Sequence, residues 1–85
     1  MVLYGSYHGS MTKDEIEKRL IQAFPGSIVE VTDLTGGEDH WQVSIVSAHF
    51  GGMKRIEQQR NVMQLFDKEL KSGDVHALTI RTRTE

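Results

Sequence analysis

The sequence predicts a small α+β domain of two layers, in which helices cover one face of a three-stranded mixed sheet. Apolar residues recur at helical spacing in some segments and alternate at strand spacing in others, and glycine or proline separates these segments. The 85 residues allow one small core, and the chain has no cysteine. Apolar burial alone must therefore stabilise the fold.

The first ten residues show no period, and Met11 could itself be a start codon. We interpret residues 1–10 as a leader or expression remnant and place the domain at residues 11–85. Thr12 and Glu15 form a capping box, which predicts that the first helix begins here. Pro25-Gly26 ends it. Its apolar face consists of Ile16, Leu20, Ala23 and Phe24.

Residues 27–34 and the segment that begins at His40 predict a β-hairpin with a five-residue loop, 35–39. In the second strand Trp41, Val43 and Ile45 share one face, while the other face is polar. This alternation is typical of a sheet that is covered on one side only.

Residues 53–70 predict a long helix, and residues 75–82 predict the third strand. A strand, a helix and a further strand favour a crossover that lays the last strand parallel to the second. The element order is α-β-β-α-α-β if residues 48–53 form a helical turn of their own, and α-β-β-α-β otherwise. The apolar positions of the long helix are Met53, Ile56, Val62, Met63, Leu65, Phe66 and Leu70.

Several classes of function are disfavoured by the composition and motifs. The sequence has neither an activated nucleophile, a P-loop nor a dinucleotide-binding fingerprint, so we predict that the protein is not an enzyme. Ten basic and twelve acidic residues give a net charge of −2, the wrong sign for non-specific binding along a phosphate backbone. No apolar run approaches the roughly 20 residues of a membrane span, and we expect a cytoplasmic protein without a membrane partner.

His40 and His76 are the candidate metal ligands, because each opens a predicted strand. If these strands are parallel neighbours, both imidazoles lie near the same edge of the sheet, where they are chemically adequate ligands for zinc, copper or iron. His76 also has the strand parity of Leu78 and Ile80. On spacing alone, a partly buried histidine is the simpler interpretation.

A basic segment offers a second candidate site, for nucleic acid. Lys54, Arg55 and Arg60 lie at the start of the long helix, and a helix N-terminus with basic residues can bind phosphate. Three cations on a net-acidic domain are also typical of a solvated helix face, and Gly51-Gly52-Met53-Lys54 does not supply a G-x-x-G loop.

Taken together, these residues resemble the BolA family over about residues 12–82. The resemblance lies in the strand opening Asp39-His40-Trp41-Gln42-Val43, in Val46-Ser47 before Phe50-Gly51-Gly52-Met53, in Arg55 and Arg60, and above all in Val75-His76-Ala77-Leu78-Thr79-Ile80. Gln58 and Gln59 are similar to the IbaG-type (YrbA-type) bacterial branch.

The resemblance implies a class II KH-like fold of order α-β-β-α-α-β. It also implies a monothiol glutaredoxin as partner and a [2Fe–2S] cluster shared with that partner and glutathione, with no cofactor in the isolated protein. The implied role is an adaptor in iron–sulfur trafficking or iron and redox regulation, with a DNA-binding regulator of transcription and stress response as the alternative. We expect a monomer or weak homodimer.

His76 matches the ligand position of the family. Family members generally take their second ligand from a cysteine or histidine within the loop between the first two strands, and residues 35–39 contain neither. His40 is the only nearby nitrogen, and Glu38 and Asp39 are the only nearby oxygens. Bridging by His76 and His40 is thus one hypothesis, and a complex without a cluster is the other.

Overall fold

A computed structural model describes residues 11–84. The leader predicted for residues 1–10 lies outside the described residues. The regular elements in chain order are α1 (Lys13–Ala23), β1 (Ile28–Asp33), β2 (His40–Val46), α2 (Arg55–Met63), α3 (Asp67–Ser72) and β3 (Ala77–Arg83). The predicted α+β class and the longer element order are confirmed, because residues 48–50 form a separate 3₁₀ turn before α2.

The predicted long helix is interrupted. A 3₁₀ turn, Gln64–Phe66, separates α2 from α3, so the segment is helical from residue 55 to residue 72 but is not one α-helix. Phe66 closes this turn and is fully buried. Among residues 11–84, no helix is both long enough and apolar enough to cross a membrane.

The sheet has the strand order β1-β2-β3. β1 pairs with β2 antiparallel, and β2 pairs with β3 parallel, as the crossover argument predicted. The parallel register sets His40 opposite Ala77 and Val46 opposite Arg83. The two strands therefore start at the same end of the sheet, and their first residues are neighbours.

The core lies between the helices and one face of the sheet. Trp41, Val43 and Ile45 are buried on that face, and the residues that alternate with them are only partly buried. The predicted face of α1 is confirmed at Ile16, Leu20 and Phe24 but is wrong at Ala23, which is exposed. The remaining buried apolar residues are Met11, Val31, Phe50, Val62, Phe66 and Val75.

The predicted inner face of α2 is wrong at Ile56 and Met63, which are 60% and 44% exposed. A polar residue takes the inner position. The Gln58 side-chain oxygen accepts a hydrogen bond of 2.7 Å from the Thr82 hydroxyl on β3, and its nitrogen donates to the Met53 carbonyl at 3.0 Å. Because Gln58 and Val62 are one turn apart on the sheet side, Ile56 and Met63 turn outward.

An ion pair joins α1 to α3. The Arg19 guanidinium donates to both carboxylate oxygens of Glu69, at 2.7 and 3.1 Å, and to the Leu65 carbonyl at 2.8 Å. It also lies over the Phe66 ring, 5.2 Å from the centroid. The hydrogen bonds from Arg19 hold the pKa of Glu69 below its ordinary value. This pair anchors the helix that leads into His76.

Candidate functional site

Asp39, His40 and His76 meet where β2 and β3 begin. The two imidazole centroids are 5.9 Å apart and their planes make an angle of 60°. The Asp39 carboxylate lies between the rings, with Oδ1 at 3.0 Å from His40 Nδ1 and Oδ2 at 3.1 Å from His76 Nδ1. The structure thus brings the two predicted histidines together and adds a carboxylate to them.

Main-chain hydrogen bonds fix this arrangement. The Asp39 carbonyl accepts from the N–H of His76 at 2.9 Å and from that of Ala77 at 3.3 Å, which starts the parallel pairing. On the other side of β2, the His40 carbonyl accepts from the N–H of Leu34 at 2.9 Å. His40 is therefore part of the sheet, and the backbone of His76, one residue before β3, is hydrogen-bonded to the end of it.

The end of α3 directs the chain into His76. The Glu69 carbonyl accepts hydrogen bonds from the N–H groups of Gly73 and Val75, both at 3.1 Å. Gly73 has a φ of +88°, a left-handed conformation that glycine adopts at little cost. Val75 is buried, so the chain is held on both sides of this turn before His76 emerges.

The loop before Asp39 is ordered by another aspartate. The Asp33 carboxylate accepts hydrogen bonds from the N–H groups of Gly36 at 2.9 Å, Glu38 at 3.1 Å and Thr35 at 3.3 Å. Glu38 has a φ of +59°, which this contact stabilises. The Thr35 hydroxyl then donates to Asp39 Oδ1 at 3.0 Å, so the loop aims the Asp39 carboxylate at the histidines.

Asp39 has a perturbed acidity because of its neighbours. The adjoining imidazole of His40, and then that of His76, hold the pKa of Asp39 well below its ordinary value of 3.8, and the Thr35 hydroxyl acts in the same direction. The contacts with the two rings differ. His76 Nδ1 has hydrogen-bond geometry, whereas His40 Nδ1 is buried and, although close to Oδ1, makes no hydrogen bond of acceptable angle.

The donor set suits a transition-metal centre. One atom each from Asp39, His40 and His76 can be chosen so that all lie within 4.8 Å of one another, and imidazole and carboxylate are both ligands for iron and zinc. The side chains of His76 and His40 are 59% and 42% exposed, so a second protein can reach them. His76 is not the partly buried histidine that strand parity suggested, because it precedes the first strand residue, Ala77.

Sequence reasoning noted Asp39 only as a nearby oxygen and missed its contact with both rings. A carboxylate directly before the strand histidine was the available signal. The third histidine within the described residues, His49, lies elsewhere, with its ring 5.9 Å from that of Phe24.

The basic residues predicted for nucleic acid do not form one surface. Arg55 lines a groove of about 320 Å³ together with Gln59, Arg81 and Arg83. Arg60 instead lies beside Met63 and Asp67, because five residues of helix turn it about 140° away from Arg55. Lys54 is exposed and precedes the first residue of α2. The cationic groove thus consists of Arg55, Arg81 and Arg83.

This chain is similar to known proteins over nearly all of its length. The family model described as BolA-like protein matches residues 14–85. An uncharacterized protein of Rickettsia prowazekii is 33% identical over 73 residues, covering 86% of this chain and 94% of that one. A Vibrio cholerae protein named DNA-binding transcriptional regulator BolA is 33% identical, covering 87% and 76%. The solved BolA domain of SufE1 from Arabidopsis thaliana superposes with a TM-score of 0.75 at 31% identity, covering 96% and 95%.

Proposed function

Because the chain belongs to the BolA-like protein family, we propose that it is a non-enzymatic cytoplasmic adaptor that binds a monothiol glutaredoxin and shares a [2Fe–2S] cluster with it. Its role would be iron–sulfur trafficking or iron and redox regulation. The observation that carries the proposal is the pairing of His40 and His76 at one end of the sheet, 5.9 Å between centroids and open to solvent. The IbaG-type assignment within the family stays a prediction.

The chemistry of the donor set argues for a partner. Iron–sulfur clusters are held mainly by thiolates, with histidine replacing cysteine at one iron in Rieske centres. This chain has no cysteine, so it offers nitrogen ligands and a partner must supply sulfur. The glutaredoxin cysteine and a glutathione thiol fill that need, and His76 and His40 would hold the cluster from this side.

The backbone of the site is already fixed, which favours binding of the partner without a large conformational change. The main-chain N–H of His76 donates to the Asp39 carbonyl, and His40 is the first residue of β2. Because main-chain hydrogen bonds already fix these backbone positions, little conformational entropy is lost when the partner docks. A cluster brought by the partner is cargo for this protein, which itself only binds, orients and releases it.

A test of this function mixes the chain with a monothiol glutaredoxin that carries its cluster and records complex formation and the visible absorption spectrum. Wild type should form a complex with an altered spectrum, and His76→Ala should diminish the alteration. His40→Ala should change it in the same direction, since we propose that His40 is the second ligand. His49→Ala is the matched control and should behave as wild type. Unchanged spectra for both site variants would contradict the ligand assignment.

The cationic groove favours nucleic-acid binding as a second candidate function. Arg55, Arg81 and Arg83 make no ion pair with any residue between 11 and 84, and a relative in Vibrio cholerae is named a DNA-binding regulator. The groove lies toward the far end of β3 from His76, about 20 Å along the strand at 3.3 Å per residue. The two candidate functions are therefore separable by mutation.

The second function predicts that different residues, and a different dependence on salt, determine binding. Binding of a fluorescent DNA duplex should weaken at least tenfold in Arg81→Glu and should fall steeply with salt, because each phosphate contact releases counterions. His76→Ala should bind DNA as wild type does. Equal weakening by both variants, or no binding by wild type at low salt, would contradict the groove assignment.

A further inference from the structure

We propose that Asp39 is the positioning residue for His76: its carboxylate accepts the Nδ1–H of that ring, fixes the tautomer and leaves Nε2 as the atom offered to iron. The role of His76 as a cluster ligand rests on the proposed function. The tautomer of its ring does not, because it is a property of the isolated chain. The carboxylate would orient a ligand without being one.

The contact itself defines which nitrogen carries the proton. Asp39 Oδ2 lies 3.1 Å from His76 Nδ1 with the geometry of a hydrogen bond. An ionised carboxylate only accepts, so in a neutral imidazole the Nδ1 must be the protonated nitrogen. The lone pair then resides on Nε2, which is the form that a metal ion binds.

The Asp39 carboxylate is also held through Oδ1, the oxygen that does not contact His76. The Thr35 hydroxyl donates to Oδ1 at 3.0 Å, and Thr35 belongs to the loop that Asp33 orders through three N–H groups. With Oδ1 engaged, Oδ2 faces the His76 ring. The same residue also binds the main chain of His76 through its carbonyl, at 2.9 Å.

Asp39 therefore attaches His76 at two points, the backbone N–H and the ring Nδ1. Two attachments restrict both the position of the residue and the rotation of its ring, although the side chain is 59% exposed. A carboxylate behind a ligating histidine raises its basicity and orients it, and removing such a partner typically lowers metal affinity about 10–100-fold. Asp39 Oδ1 lies 3.0 Å from His40 Nδ1 as well, but this contact lacks the geometry of a hydrogen bond, so it does not fix the His40 ring in the same way.

The test measures the tautomer in the isolated protein and the cluster affinity in the complex. Long-range ¹H–¹⁵N correlation spectra at alkaline pH, where imidazoles are neutral, should show His76 with a protonated Nδ1 in wild type. In Asp39→Ala the ring should shift to the tautomer mixture of a solvated imidazole. His49 provides an internal control and should not change.

A second variant separates the carboxylate from the loop. Thr35→Val removes the hydroxyl that holds Oδ1 but retains the carboxylate, so the fraction of His76 protonated at Nδ1 should fall less than in Asp39→Ala. Asp39→Ala retains the main-chain carbonyl that pairs with His76, and the amide spectrum will report whether β3 remains in register. In the glutaredoxin complex Asp39→Ala should retain the cluster about 10–100-fold less well.

A wild-type His76 protonated at Nε2, or a tautomer that Asp39→Ala leaves unchanged, would overturn the proposal. If wild type forms no cluster with glutaredoxin, the function proposed above fails while the tautomer measurement still decides the role of Asp39.

Discussion

Replacing Arg19 with methionine should destabilise the fold by about 2 kcal/mol, a value between those of exposed and buried ion pairs. The side chains of Arg19 and Glu69 are 35% and 13% exposed, so the pair lies between those two cases. The variant loses a bidentate contact and leaves a nearly buried carboxylate without its partner. For a domain of this size the expected fall in Tm is about 8–16 °C.

The assay is thermal unfolding followed by circular dichroism, with Lys71→Met as the matched control. Lys71 also pairs with an acid, Asp67, at 3.0 Å, but these side chains are 77% and 62% exposed. Such an exposed pair contributes about 0.5 kcal/mol or less, so Lys71→Met should barely change Tm. Equal effects of the two variants would refute the argument from burial.

The same prediction has a pH dependence with a defined sign. Folding lowers the pKa of Glu69, mainly through its hydrogen bonds with Arg19. A carboxyl of this kind contributes stability above its ordinary value of 4.5 and loses that contribution as the pH falls through the folded value. The difference in the free energy of unfolding between wild type and Arg19→Met should therefore be largest near neutral pH and should become smaller in acid. A difference that grows in acid would contradict the ion-pair account.

Three further predictions concern the core, the turn before His76 and the loop. Phe66→Ala should cost about 3–5 kcal/mol, since the ring is fully buried, and chemical denaturation should show a lower midpoint. Gly73→Ala should lower the free energy of unfolding by about 1–2 kcal/mol, from the positive φ alone, because an added Cβ meets nothing within 4 Å; a much larger fall in Tm would indicate a steric conflict that the structure does not contain. Asp33→Ala should accelerate hydrogen exchange at the amides of residues 35–38 while the β2 amides keep their protection, and unchanged exchange would show that the loop does not depend on that carboxylate.

The fold was largely predictable because its signals are local. The capping box of Thr12 and Glu15, the alternation around Trp41 and the glycines between segments each determine structure over a few residues, and the crossover rule then places β3 beside β2. The inner face of α2 was not predictable from hydrophobicity. There Gln58 satisfies its polar atoms against Met53 and Thr82, a pairing between residues distant in sequence.

The candidate site was predictable in part. Strand starts and parallel pairing were enough to bring His40 near His76. The contacts of Asp39 depend on the loop conformation that Asp33 imposes, and a sequence pattern does not specify where a loop carboxylate points. For the same reason Arg55 could be picked out as basic, but its association with Arg81 and Arg83 required the packing of α2 against β3.

The central claim, that this chain supplies a histidine nitrogen to a shared cluster, is tested most directly by pulsed electron paramagnetic resonance. The chain is labelled with ¹⁵N-histidine, combined with unlabelled monothiol glutaredoxin and glutathione, and the cluster is reduced to its paramagnetic state. The account predicts a strong ¹⁵N coupling in wild type that weakens in His76→Ala, disappears when His40 is replaced by alanine as well, and persists in His49→Ala. A reduced cluster in the wild-type complex without any ¹⁵N coupling would contradict it.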